Sequence, residues 1–197
     1  MRRIICLIIP IFMLGCAASY NRINLNLYNF RKVDESTKFI IEVLDFPLLE
    51  SDNKRYHEHL ILYNYELIGL KIQNTTDSIQ MLNLNKLKII SESEEGYYWV
   101  SIKNIKEYDL SPPAWPYWFY SPILITSSIP VGLIIAISQF NKAKANNMCY
   151  RSELLVLEIQ NGRLIKPKEV IKGLLLLKND SKEWKPYTDK LTITYVE

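Results

Sequence analysis

Apolar and polar residues alternate with a period of two over much of the middle of this chain, and that is the pattern of half-buried strands. KFIIEVLDF at 38 to 46 is β-branched and apolar and stops at Pro47. LILYNYEL at 60 to 67 and IGLKIQN at 68 to 74 follow, closing in the turn-like NTTDS. In IQMLNLNKLKII at 79 to 90, Met81, Leu82, Leu84, Leu87 and Ile89 are interleaved with Asn83, Asn85, Lys86 and Lys88. The charged turn SESEEG at 91 to 96 leads into YYWVSIK at 97 to 103. Further on, ELLVLEI at 153 to 159 precedes Asn161-Gly162, a dipeptide that closes tight hairpins. VIKGLLLLK at 170 to 178 and LTITYVE at 191 to 197 complete the series. Seven to nine short strands separated by turn signals predict an antiparallel two-sheet sandwich.

Two stretches break this pattern. The first is the N-terminus, where Arg2 and Arg3 precede the apolar run Ile4 to Leu14 and then the small residues Gly15, Ala17, Ala18 and Ser19. This is the layout of a secretory signal, and it is too short for a spanning helix. Within it, MLGC at Met13 to Cys16 resembles the lipobox of bacterial lipoproteins, with Met13 standing where Leu is usual. The resemblance covers the first sixteen to twenty residues. It implies that the Cys16 sulfur takes a diacylglycerol, that residues 1–15 are removed, and that the new N-terminus is acylated. More than one acyl chain makes anchoring stable, because each buried methylene contributes about 0.8 kcal/mol. Ala17, rather than Asp, after the cysteine is compatible with transfer to an outer membrane in this class. Residues 16–36, AASYNRINLNLYNFRKVDES after the cysteine, are polar and Asn-rich and read as a tether, with one early strand expected around Ile23 to Tyr28.

The second stretch is PYWFYSPILITSSIPVGLIIAISQF at 116 to 140. No residue between Asp109 and Lys142 is charged. Three readings are open. It could span a membrane, with WPYWFY at 115 to 120 as an interfacial belt. It could be a helix started at Ser127 or Ser128 with Pro130 in its first turn, running to about Asn147 and dipping into a membrane or docking on a partner. Or it could simply cover one end of the core. A span conflicts with strands on both flanks belonging to one domain, and Pro130 interrupts it. The contact candidates are Trp115, Tyr117, Trp118, Phe119, Ile123, Leu124, Val131, Leu133, Ile134 and Ile135.

Composition narrows the function classes. The 24 basic and 21 acidic residues of this 197-residue chain are scattered, with no dense cationic stripe, which argues against nucleic-acid binding. With Cys6 in the signal and Cys16 acylated, Cys149 is the remaining thiol; it reads as an inert packing residue and leaves no pair for a disulfide. The two histidines stand in RYHEHLIL as His57 and His59. On a strand both rings would point to one face, the spacing of two metal ligands, so they are weak metal candidates beside the simpler reading of an exposed junction. Asn74-Thr75-Thr76 matches a glycosylation sequon but reads as turn chemistry, and Glu92, Glu94 and Glu95 as a solvated hairpin tip. No nucleophile elbow, phosphate loop or Cys-x-x-Cys pair occurs.

The strand series over residues 38–197 is similar to the immunoglobulin-like domains of exported bacterial proteins, which implies architecture only. The sequence therefore predicts a mainly β protein: an antiparallel immunoglobulin-like β-sandwich over 37–197 with an apolar, partly helical insertion at about 111–148. It predicts a lipid-anchored envelope lipoprotein without catalytic residues or cofactor, its insertion touching membrane or an envelope protein partner. The alternative is a ligand- or metal-binding envelope protein using the face of His57 and His59.

Overall fold

Strand alternation builds an antiparallel, mainly β protein in the computed structural model, which describes residues 20–44, 53–90, 97–112, 129–179 and 192–196, with backbone alone for 107–108 and 129–136. Nine strands are found among them: β1 Phe30–Glu35, β2 Phe39–Leu44, β3 Tyr65–Asn74, β4 Gln80–Met81, β5 Leu87–Ile90, β6 Tyr97–Val100, β7 Leu164–Ile165, β8 Val170–Asn179 and β9 Thr192–Tyr195. Three α-helices accompany them among the described residues: α1 Lys54–Leu62, the single turn α2 Glu107–Leu110, and the 29-residue α3 Ile129–Leu157.

The largest sheet has the order β1-β2-β3-β8-β6, and its pairs are all antiparallel. β3 and β8 are central and pair without a break from Tyr65↔Lys178 to Gln73↔Val170. Both are buried on two faces, which is why Leu174 to Leu177 is an unbroken apolar run rather than an alternating one. On one face, Phe39, Ile41, Ile68, Leu70, Ile72, Leu175 and Leu177 meet Leu87 and Ile89 of β5 and Ile193 and Tyr195 of β9. On the other face, Leu67, Leu174 and Leu176 meet Tyr56 and Leu60 of α1 and Tyr150 and Leu154 of α3. The sheet therefore sits between a second β layer and a helical layer.

Several predicted elements change type, each for a physical reason. Residues expected as the start of a strand at 60 are the end of α1, because Tyr56, His59 and Leu60 recur at i, i+3 and i+4 and are buried. The run IQMLNLNKLKII is split into β4, a 3-10 turn Leu84–Lys86 and β5. The Asn83 side chain accepts from Asn85 N at 3.0 Å and starts that turn. Its inward set holds at Leu82, Leu84, Leu87 and Ile89, which are buried, but not at Met81, which is exposed on β4.

The first five residues of the expected strand ELLVLEI, 153–157, are the last part of α3, and Glu158 after it makes only an isolated bridge to Leu174 of β8. The helix starts at Ile129 with Pro130 in its first turn, as the Ser-Pro signal predicts, but continues ten residues past Asn147. Nothing between Leu133 and Leu157 is Gly or Pro, and a helix once nucleated adds residues at little cost. A short apolar run cannot by itself choose between helix and strand. The turn at Asn161-Gly162, with Gly162 at φ +78°, is present, but it joins the end of the helical segment to β7 rather than two long strands.

The polar stretch expected as a tether through residue 36 is part of the fold from Tyr20 onward. Ile23 and Leu25 are buried, a 3-10 turn forms at Leu25–Leu27 rather than the expected strand, and β1 pairs with β2. β1 is an edge strand, bulged between Lys32 and Asp34 and carrying Arg31, Lys32, Asp34 and Glu35, features that disfavour edge-to-edge aggregation. Asn74 is fully buried and serves turn chemistry: its amide donates to the carbonyls of Ser78, Ile165 and Lys166, and its Oδ1 accepts from Thr76.

Candidate functional site

A cleft of about 550 Å³ lies between the N-terminal arm and the outer side of α3. Tyr20 and Arg22 line it from the arm, and Met148, Cys149, Ser152, Glu153, Val156 and Leu157 from the helix. The helical positions 148, 149, 152 and 156 share one side of α3 because three- and four-residue steps return to the same face. The opposite face, with Ala143, Asn147, Tyr150 and Leu154, is buried against the sheet side.

Glu153 holds the arm in place. Its carboxylate accepts from the Tyr20 hydroxyl through one oxygen and from Ile23 N, at 3.1 Å, through the other. Burial, then the hydrogen bond and negative charge of Glu153, push the Tyr20 hydroxyl well above its ordinary pKa, so it stays a donor at any physiological pH. A second clasp is reciprocal: Asn21 N donates to Asn53 Oδ1 and Asn53 Nδ2 donates to Asn21 O, both at 2.9 Å. Behind the cleft, the rings of Tyr20, Tyr56 and Tyr150 pack with centroids 4.3 to 5.5 Å apart. Tyr56 donates to Asn147 Oδ1 at 3.0 Å, and Asn147 Nδ2 donates to Pro112 O at 2.7 Å. The arm is thus a fixed part of the helical layer.

The sequence-predicted residues distribute unevenly around this site. Cys16, Trp115, Tyr117, Trp118, Phe119, Ile123 and Leu124 lie outside the described residues. Val131, Leu133, Ile134 and Ile135 fall on the first turns of α3, where only the backbone is described. The strand expected to carry His57 and His59 is helix α1, and residues two apart on a helix do not face each other. His59 is buried with its ring 5.0 Å from that of Tyr63, while His57 is half-buried. The shared metal-binding face expected for the pair is therefore not formed. Among the described residues no group of three His, Cys, Asp or Glu is arranged to hold a metal. Cys149, expected as a packing residue, is exposed and lines the cleft.

Of the readings of the apolar stretch, a single span is removed by topology. β6 before it and β8 after it are hydrogen-bonded neighbours in one sheet, so both flanks lie on the same side of any bilayer. No helix among the described residues is long and apolar enough to cross a membrane.

One buried titratable group lies elsewhere. Glu66, on β3, is 2% exposed and sits on the face that bears Ile68, across β8 Leu177 from Trp99 of β6. Burial pushes its carboxyl up to about 7, and the neighbouring Tyr97 hydroxyl only partly counters this. Neither carboxyl oxygen closes a hydrogen bond of normal geometry among the described residues.

No local pattern marks the clasp of Tyr20 and Ile23 on Glu153 or that of Asn21 on Asn53. Tyr20 and Glu153 are 133 positions apart, and their pairing depends on α3 packing beside the arm. In comparisons with known proteins the chain matches no family model, no curated protein and no solved structure.

Proposed function

We propose that this chain is a lipid-anchored cell-envelope lipoprotein with a non-catalytic binding or structural role, carried by an acylated Cys16 and held at the outer membrane. The observation that carries the reading is the ordered run of Arg2-Arg3, the apolar Ile4 to Leu14, and Gly15-Cys16. The folded body supports it, because its first described residue, Tyr20, follows Cys16 by four positions and is already clasped to α3. In this reading the apolar segment from Trp115 into α3 touches membrane or an envelope protein partner. The antiparallel layers that share the core of Phe39, Leu70, Ile89 and Ile193 support an immunoglobulin-like sandwich, to which the helical layer is an addition.

Replacing Cys16 by Ser tests the anchor. The wild-type chain should incorporate labelled fatty acid and sediment with membranes, and Cys16→Ser should lose the label and enter the soluble fraction. A wild-type chain that takes up no fatty acid refutes the reading.

A further inference from the structure

We propose that the solvent face of α3, with Arg22 of the arm, lies against the surface of an anionic bilayer and that the cleft opens onto it. The proposal rests on acylation of Cys16 and adds which face of the protein meets the lipid.

The exposed side of α3 has a consistent chemistry. Ile137, Asn141, Ala145, Met148, Ser152 and Val156 recur at three- and four-residue steps and are all exposed, Val156 to 81% and Met148 to 58%. Exposed Lys142 and Lys144 lie on the two flanks of this row, where their stems can reach along apolar surface toward phosphate. No exposed residue from Ile137 to Leu157 is acidic. Glu153, half-buried on this segment, is engaged by Tyr20 and Ile23 N. Arg22 adds a third exposed cation at the mouth of the cleft. Ile137, Ala145, Met148 and Val156 are the apolar members of this row and Asn141 and Ser152 its uncharged polar ones, so the face with its flanking cations suits contact with an anionic membrane surface.

The point at which the chain leaves the body selects the bilayer as the occupant. Tyr20 forms part of the cleft wall and is fixed by Glu153. Four residues to Cys16 reach at most about 14 Å when fully extended. The headgroup layer itself is roughly 5–7 Å deep on each side, so the face around Tyr20 cannot move far from the lipid once Cys16 is acylated. Such a tether raises the effective concentration of surface around this face, and weak apolar and cationic contacts then suffice. Each cation near an anionic surface should be worth about a fivefold change in the population of the docked orientation.

The test uses the acylated full chain in vesicles of phosphatidylethanolamine and phosphatidylglycerol, with a polarity-sensitive fluorophore on the Cys149 thiol. The fluorophore should shift to the blue, be quenched by headgroup-attached nitroxide lipids and be shielded from aqueous acrylamide. The Arg22→Glu, Lys142→Glu, Lys144→Glu triple variant should reverse all three effects while staying vesicle-bound through its lipid. A label on Ser152→Cys in a Cys149→Ser background should behave as the Cys149 label does, which guards against an effect of the fluorophore on one position. If the vesicle-bound, acylated protein leaves both labels open to acrylamide, this proposal fails and the anchor stands. Shielding that appears only as protein density on the vesicles rises assigns the face to a second copy and also overturns it. Mass spectrometry showing no acyl group on Cys16 removes the anchor and this proposal together.

Discussion

Replacing Glu66 by Gln should change how the stability of the folded domain depends on pH, and the size of the change follows from where the carboxyl sits. Glu66 is 2% exposed, on the core face of a central strand, so its charged form loses nearly all of its hydration. Burial moves the carboxyl from 4.5 in the unfolded chain to about 7 in the fold. Between those values the folded state binds more protons than the unfolded state, so stability falls as pH rises. The full benefit of the neutral form is present below 4.5, and the loss is complete once pH exceeds about 7. At about 1.4 kcal/mol for each pH unit in that window, the wild-type domain loses about 3 kcal/mol. Glu66→Gln cannot ionise and should not show this loss. A buried amide with poor partners can itself cost about 1–3 kcal/mol, so the readout is the slope and not the absolute stability. Urea unfolding of the Cys16→Ser protein, followed by tryptophan fluorescence at intervals from pH 4.5 to 8.5, measures it. Other titrating groups cancel in the difference between variant and wild type wherever they do not touch residue 66. That difference should rise with pH in favour of the variant and level off above about 7. A difference that stays flat within about 0.5 kcal/mol, or falls with pH, would refute the assignment of a buried neutral carboxyl.

Two further substitutions probe the packing that positions the helical layer and the turns. Gly173→Ala places a Cβ 2.5 Å from Ile159 Cγ1 and 2.7 Å from the Leu157 carbonyl oxygen, where the end of α3 meets β8. One of the two is backbone, so relief requires the chain after the helix to move. The cost should reach about 1–3 kcal/mol, read as a lowered urea midpoint with unchanged slope. Asn74→Ala leaves the carbonyls of Ser78, Ile165 and Lys166 and the amide of Thr76 without their side-chain partner. It should lower stability by at least about 2 kcal/mol, whereas a loss below about 0.5 kcal/mol would mean that water replaces the side chain freely.

The pattern of apolar residues determined the strands that remained strands. In β2, β3, β8 and β9, β-branched and leucine-rich runs bounded by turn residues are enough, because a strand's preference is set by the two faces it presents. The start of α3 was also written locally, in Pro130 and the small residues before it, since first-turn chemistry involves only near neighbours. The candidate anchor at Cys16 is likewise a purely local reading.

What the sequence could not hold is everything that depends on which surfaces meet. ELLVLEI has apolar residues suited to either helix or strand. Continuation of α3 chose the helix and placed Leu154 in the core and Val156 in solvent. Tyr56, His59 and Leu60 became one helical face only because the sheet offered Leu67, Leu174 and Leu176 to cover. That change separated His57 from His59. The polar arm gained its place from paired hydrogen bonds to Glu153 and to Asn53, residues distant in the chain that carry no periodic signal. Periodicity reports which residues seek burial, and long-range packing alone decides what they are buried against and which polar groups meet there.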